Sequence, residues 1–93
     1  MNRTSLAKAI SVKLNVPQTD AMTFIDTFEQ IVQTTLSEGG NITLMGFGRF
    51  YRKRHGARIG RHPQTGNEIM LPARYEPVFS AGKTLKKTIS QTD

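Results

Sequence analysis

Residues 39–50 read GGNITLMGFGRF, and within them the chain changes its period. Before Gly39 and Gly40 apolar residues recur every three or four positions. After them Ile42 and Leu44 alternate with Thr43 and Met45, Phe47 stands between two turn glycines, and Phe50 begins another extended segment. A repeat of 3.6 places apolar side chains on one face of a helix, and a repeat of two places them on one face of a strand. The glycine pair is a helix stop, because a left-handed backbone costs glycine little. The chain is therefore expected to be helical before residue 40 and extended after it.

Upstream, Leu6, Ile10 and Leu14 recur behind the polar residues Asn2 and Thr4, and Val16-Pro17 interrupts them. A second stripe runs through Ala21, Phe24, Ile25, Phe28, Ile31, Val32 and Leu36, with Asp20 near its start. Two antiparallel amphipathic helices joined by a tight turn are expected.

Downstream, the stretch from Arg49 to Arg58 holds the aromatics Phe50 and Tyr51 but only one aliphatic side chain, Ala57. Beyond Tyr51 it has almost nothing to bury and is not expected to be a core strand. The return segment NEIMLPARYEPVF, residues 67–79, contains Pro72 and Pro77. Prolines donate no ladder hydrogen bond and belong at edges or bulges. The expectation is a long two-stranded ribbon, an arm over about residues 52–75, turning at 62–66. Such a hairpin is only marginally stable in water by itself. The chain ends in SAGKTLKKTIS, residues 80–90, expected to form a short basic helix.

The charge follows the same division. The net charge is +6, but residues 1–40 hold three cations and four acids, a balance of −1, while residues 41–93 hold ten cations and three acids, a balance of +7. Arg49, Arg52, Lys53, Arg54, Arg58 and Arg61 follow one another without an intervening acid, a segment that repels itself until a polyanion neutralises it. There is no cysteine, and His55 and His62 have no ligand set around them, so no disulfide, metal or cofactor is expected. No stretch approaches the roughly 20 apolar residues of a membrane span or the apolar centre of a leader peptide. A soluble chain working in the reducing cytoplasm is expected. Neither a carboxylate cluster for a metal nor a nucleophile with a nearby base is visible, so an enzyme is not expected.

Three segments carry a family resemblance: ITLMGFGRF at 42–50, ARIGRHPQTGNEIMLPA at 57–73 and PVFSAGKTLKKTI at 77–89. In content and spacing they resemble the signature segments of the bacterial histone-like HU/IHF family of DNA-bending proteins, and the similarity covers essentially the whole chain. The resemblance implies an α+β fold: two N-terminal helices, a three-stranded antiparallel sheet with a long β-ribbon arm, and a short C-terminal helix. It implies one domain over residues 1–93, with a helical dimerisation base at 1–40, the sheet and arm at 41–81, and the last helix at 82–93. It also implies an intertwined dimer, either a homodimer or a heterodimer with a paralogue. Phe28, Phe47, Phe50 and Phe79 are expected in a shared core. The phenylalanines are independently generous for one small body, although an ordinary intrachain core remains the alternative.

The partner implied is double-stranded DNA, bound and bent with little sequence preference in the nucleoid. Pro63 has two readings. As a turn former it presets φ near −65° and cheapens the reversal. As a wedge it enters the base stack from the minor groove, a mechanism inherited from the resemblance. The flanking Arg58 and Arg61 favour the wedge, since guanidinium groups follow a narrow, electronegative groove. Gln64 and Thr65 are expected at sugar or base edges. Lys53, His55, Arg74, Lys83 and Lys86, with Lys87 beside them, are expected at phosphates, helped by backbone donors at the last helix's N-terminus. Arg52 and Arg54 fall on the opposite strand phase. His62, also expected among the DNA contacts, stands where the family commonly has asparagine, and His55 where it is usually basic. A basic β-ribbon that binds folded RNA is the alternative reading.

Overall fold

The computed structural model describes residues 1–91 and divides into two compact units, one over residues 1–35 and one from Leu36 onward. The first unit holds α1 (Arg3–Leu14) and most of α2 (Gln18–Ser37). Asn2 starts α1 with a reciprocal cap: its side-chain oxygen accepts from the Ser5 amide at 2.9 Å, and its own amide donates to Ser5 Oγ at 2.8 Å. Two of the four amides that a helix start leaves unpaired are thereby satisfied. Asn15, in the left-handed conformation at φ 54°, ends α1. The Pro17 carbonyl then accepts from the amides of Asp20 and Ala21 and opens α2. Arg3 forms ion pairs with Asp26 and Glu29, joining the start of α1 to the middle of α2, as an antiparallel pair requires.

The second unit begins at the end of α2. Strands β1 (Ile42–Leu44), β2 (Gly48–His55) and β5 (Arg74–Ala81) form an antiparallel sheet in the order β1-β2-β5. A separate ribbon pairs β3 (Arg58–Arg61) with β4 (Glu68–Leu71), and α3 (Lys83–Ser90) follows. The expected change of period, the three-stranded sheet and the terminal helix are all present. Pro77 lies in β5, an edge strand, and Pro72 between β4 and β5, where a missing amide breaks no ladder.

The arm differs from the expectation in one respect. From Tyr51, past the last residue that β1 covers, β2 and β5 pair as a two-stranded ribbon as far as His55 and Arg74, as expected, but the ribbon is not continuous: the ladder breaks at Gly56-Ala57 and Pro72-Ala73 before β3 and β4 resume. A strand needs backbone partners as well as apolar cargo, and β5 supplies them. Arg52 provides the packing that an aliphatic residue would have given: its guanidinium lies 3.8 Å from the centre of the Tyr75 ring and donates to the Ser37 carbonyl at 3.2 Å.

Between β5 and α3 the chain passes close to the β1–β2 turn. A Cβ on Gly82 would stand 2.6 Å from the Gly46 carbonyl oxygen, so only glycine fits. That carbonyl accepts from the Leu85 amide at 3.1 Å, and the Phe47 carbonyl accepts from the Gly82 amide at 2.8 Å. One N-terminal donor of α3, the Leu85 amide, is therefore used within the fold. Phe79 stacks at an angle on Phe50, with centroids 4.8 Å apart, and on Phe47 at 5.7 Å. Among the described residues the buried apolar side chains are Ala7, Ala21 and Leu36. No helix of the described residues is long and apolar enough to cross a membrane.

Candidate nucleic-acid interface

Side chains alternate across a strand, so β2 divides its cations between two faces. Phe50, Arg52 and Arg54 share one face with Tyr75, Pro77 and Phe79 of β5, their register partners. Arg52 is committed there to Tyr75 and Ser37. Arg49, Tyr51, Lys53 and His55 share the other face with Arg74, Glu76 and Val78. On it the Arg49 guanidinium lies 4.3 Å from the Tyr51 ring centre, and His55 Nε2 lies 2.6 Å from Glu76 Oε2. Lys53, His55 and Arg74, all expected at phosphates, thus come together on one face. An acid, Glu76, joins them, and its pairing with His55 was not legible in the sequence; finding it requires the β2–β5 register, since the two are 21 positions apart.

Where the ladder breaks, His55, Gly56, Arg58, Leu71, Pro72 and Arg74 line a notch of about 190 Å³. Beyond it, the register pairs Arg58 with Leu71, Ile59 with Met70, Gly60 with Ile69 and Arg61 with Glu68. Arg58 and Arg61 therefore project from opposite faces of the distal ribbon. Ile59 and Met70 form an exposed apolar pair, 64% and 67% accessible, on the face of Arg61. The sequence reading passed over this pair because isolated apolar residues near a turn carry no period.

The tip is a built turn. The His62 amide donates to the Asn67 carbonyl at 2.8 Å, and the Gly66 amide to the His62 carbonyl at 2.9 Å. Gly66 takes φ 71°, the left-handed position that lets the chain return. His62 Nδ1 accepts from the Gln64 amide at 3.2 Å, and Thr65 Oγ1 from the Asn67 amide at 3.3 Å. Arg61 reaches around to the Gly66 carbonyl at 3.3 Å. Pro63, Gln64 and Thr65 are left exposed at the end of the ribbon.

On α3, Lys83, Lys86 and Lys87 are exposed and spaced three and four apart, so they share one helix face. The expected core aromatics fall in both units. Phe28 is on α2, in the first unit, and is 43% exposed; in the second unit Phe47 is 49% and Phe79 42% exposed, and Phe50 is half-buried.

A ribbon ending in an exposed proline, arginines on both its faces and lysines along the last helix define a cationic surface shaped for a polyanion. The family model described as bacterial DNA-binding protein matches residues 1–90, and the chain belongs to that family. Among its relatives, DNA-binding protein HRL18 of Rhizobium leguminosarum is 42% identical over 90 residues, covering 97% of this chain and 99% of that protein. DNA-binding protein HU of Staphylococcus aureus is 38% identical over 89 residues, covering 96% and 99%. The fold is similar to that in a cocrystal structure of Anabaena HU with DNA, at a TM-score of 0.91 and 32% identity, covering 99% of this chain and all of that one.

Proposed function

We propose that this protein is a dimeric architectural protein that binds and bends duplex DNA with little dependence on sequence, and that it works on the nucleoid in the cytoplasm. Its arm lies in the minor groove, and Pro63 wedges between base pairs. The observation that carries this reading is the tip. Its hydrogen bonds hold the reversal through His62, Asn67 and Gly66, so Pro63 is presented outward on a closed turn. A proline ring there offers a rigid apolar edge with no donor to desolvate. Opening a base step costs a few kcal/mol, which the contacts of the bent duplex offset.

Arg58 and Arg61, on opposite ribbon faces, address the two walls of the groove, and Ile59 with Met70 meets the sugars. Lys53, His55 and Arg74 hold phosphates where the arm leaves the sheet, while Lys83 and Lys86 do so along the body. Gln64 and Thr65 meet sugar or base edges beside the wedge. The dimer is supported by what one chain leaves exposed: Phe47 and Phe79 of the second unit are each more than two-fifths exposed, and only three small or medium apolar side chains are buried among the described residues. The family's description as DNA-binding supports a binding role rather than an enzymatic one.

The experiment is a titration of a short duplex over a series of salt concentrations, with a structured RNA in parallel. Affinity for the duplex is expected to fall steeply with salt, and Arg58→Ala or Arg61→Ala to flatten the slope by about one unit each. Tighter binding to the RNA, or a duplex affinity insensitive to salt, contradicts the proposal.

A further inference from the structure

The cations at the root of the arm are not all free to meet a phosphate. His55 Nε2 lies 2.6 Å from Glu76 Oε2. An ionised carboxylate only accepts, so Nε2 carries a proton and donates it, whether the ring is neutral or cationic. Glu76 is also the cross-strand partner of Lys53, and His55 that of Arg74. Direct and diagonal neighbours on one face of an antiparallel pair interact, and like charges placed there destabilise the sheet. One acid thus sits among three donors, on the face that leads into the notch lined by His55, Arg58 and Arg74. The Glu76 side chain is 53% exposed, so it is not a packed core element, and its contribution is electrostatic.

We propose that Glu76 is a resident counterion of the arm, occupying at His55 Nε2 the place that a backbone phosphate takes when duplex DNA reaches the notch. The inference rests on the DNA-binding reading. In the free protein the carboxylate relieves the repulsion among Lys53, His55 and Arg74 and keeps the root of the arm paired. On binding, His55 exchanges a carboxylate for a phosphodiester oxygen, and Glu76 remains beside the DNA as a negative charge. The chain therefore binds more weakly than its cation count alone dictates, and releases DNA more readily.

The test measures duplex affinity by fluorescence anisotropy across a salt series for four proteins: the parent, Glu76→Gln, His55→Gln and the double variant. Glutamine keeps a hydrogen-bonding amide at Glu76 but removes the charge. Glu76→Gln is expected to bind about two- to fivefold more tightly at low salt, the range of a solvent-exposed ion pair, with the gain shrinking as salt rises. In the His55→Gln background the same change is expected to give a smaller gain, because the released donor is missing. An independent readout is the His55 ring nitrogen signal, which moves on adding duplex to the parent as its acceptor changes. Glu76→Gln binding with the parent's affinity or more weakly, or a gain of equal size in both backgrounds, overturns the counterion role while leaving DNA binding intact. No saturable duplex binding by the parent overturns both readings.

Discussion

His62 shows how one side chain can replace another of different shape. At the position where the resemblance implies asparagine, its Nδ1 accepts from the amide two residues on, the bond an asparagine oxygen makes when it closes a turn. Replacing His62 with alanine is expected to cost about 1 kcal/mol of local order, seen as faster exchange of the Gln64 amide, while His62→Asn restores protection. Unchanged exchange in His62→Ala would show that the backbone bonds alone hold the tip. The sequence placed His62 at the tip but not its bond, because an imidazole acceptor depends on a ring orientation that only the closed turn defines. Arg52 makes a second case. Its phase set it apart from the DNA-facing cations, yet its stacking on Tyr75 was not legible, since a cation's aromatic partner lies on another strand. Arg52→Ala is expected to lower stability by about 0.5–2 kcal/mol in denaturant unfolding and to weaken duplex binding less than Arg58→Ala does.

At the scale of elements, helices and strands were readable where the period was sustained: the stripes of α1 and α2 and the alternation after Gly40 each specify one face. The break in the arm was not, although Gly56 and Pro72, which lie at it, stand in the sequence. Neither residue by itself says that the ribbon is interrupted, because ladder pairing depends on the backbone opposite, and β5 provides that only through Arg74. The break leaves β3 and β4 as an isolated two-stranded ribbon, a class marginally stable in water. Amides of β3 and β4 are expected to exchange faster than those of β2 before His55, and to gain protection on duplex binding. The junction of α3 with the β1–β2 turn is the opposite case, a tightly closed contact. Gly82→Ala would drive a methyl into the Gly46 carbonyl and is expected to destabilise the protein by about 1–3 kcal/mol in denaturant unfolding.

The second unit joins an incompletely covered sheet to a cationic arm, and each has a consequence. On the proposed dimer, the exposed Phe47 and Phe79 meet a partner surface, so a charge placed there, as in Phe47→Asp, is expected to give monomeric or unfolded protein in sedimentation. A variant that sediments with the parent would place the shared core elsewhere. The need for a partner was legible in the count of aromatics, but the faces that meet were not, because interchain contacts leave no period of their own. The arm sets what happens to DNA. In the proposed mode phosphate contacts supply most of the affinity, while the wedge deforms the duplex, so the two properties are expected to separate by substitution. The most direct measurement is the bend itself, read as fluorescence transfer between the ends of a short duplex saturated with the parent or with Pro63→Ala. The parent is expected to bring the ends together, and Pro63→Ala to bind within a few-fold of the parent's affinity yet bend the duplex clearly less; equal bending by the two proteins, or an unbent duplex in the parent complex, would contradict the wedge.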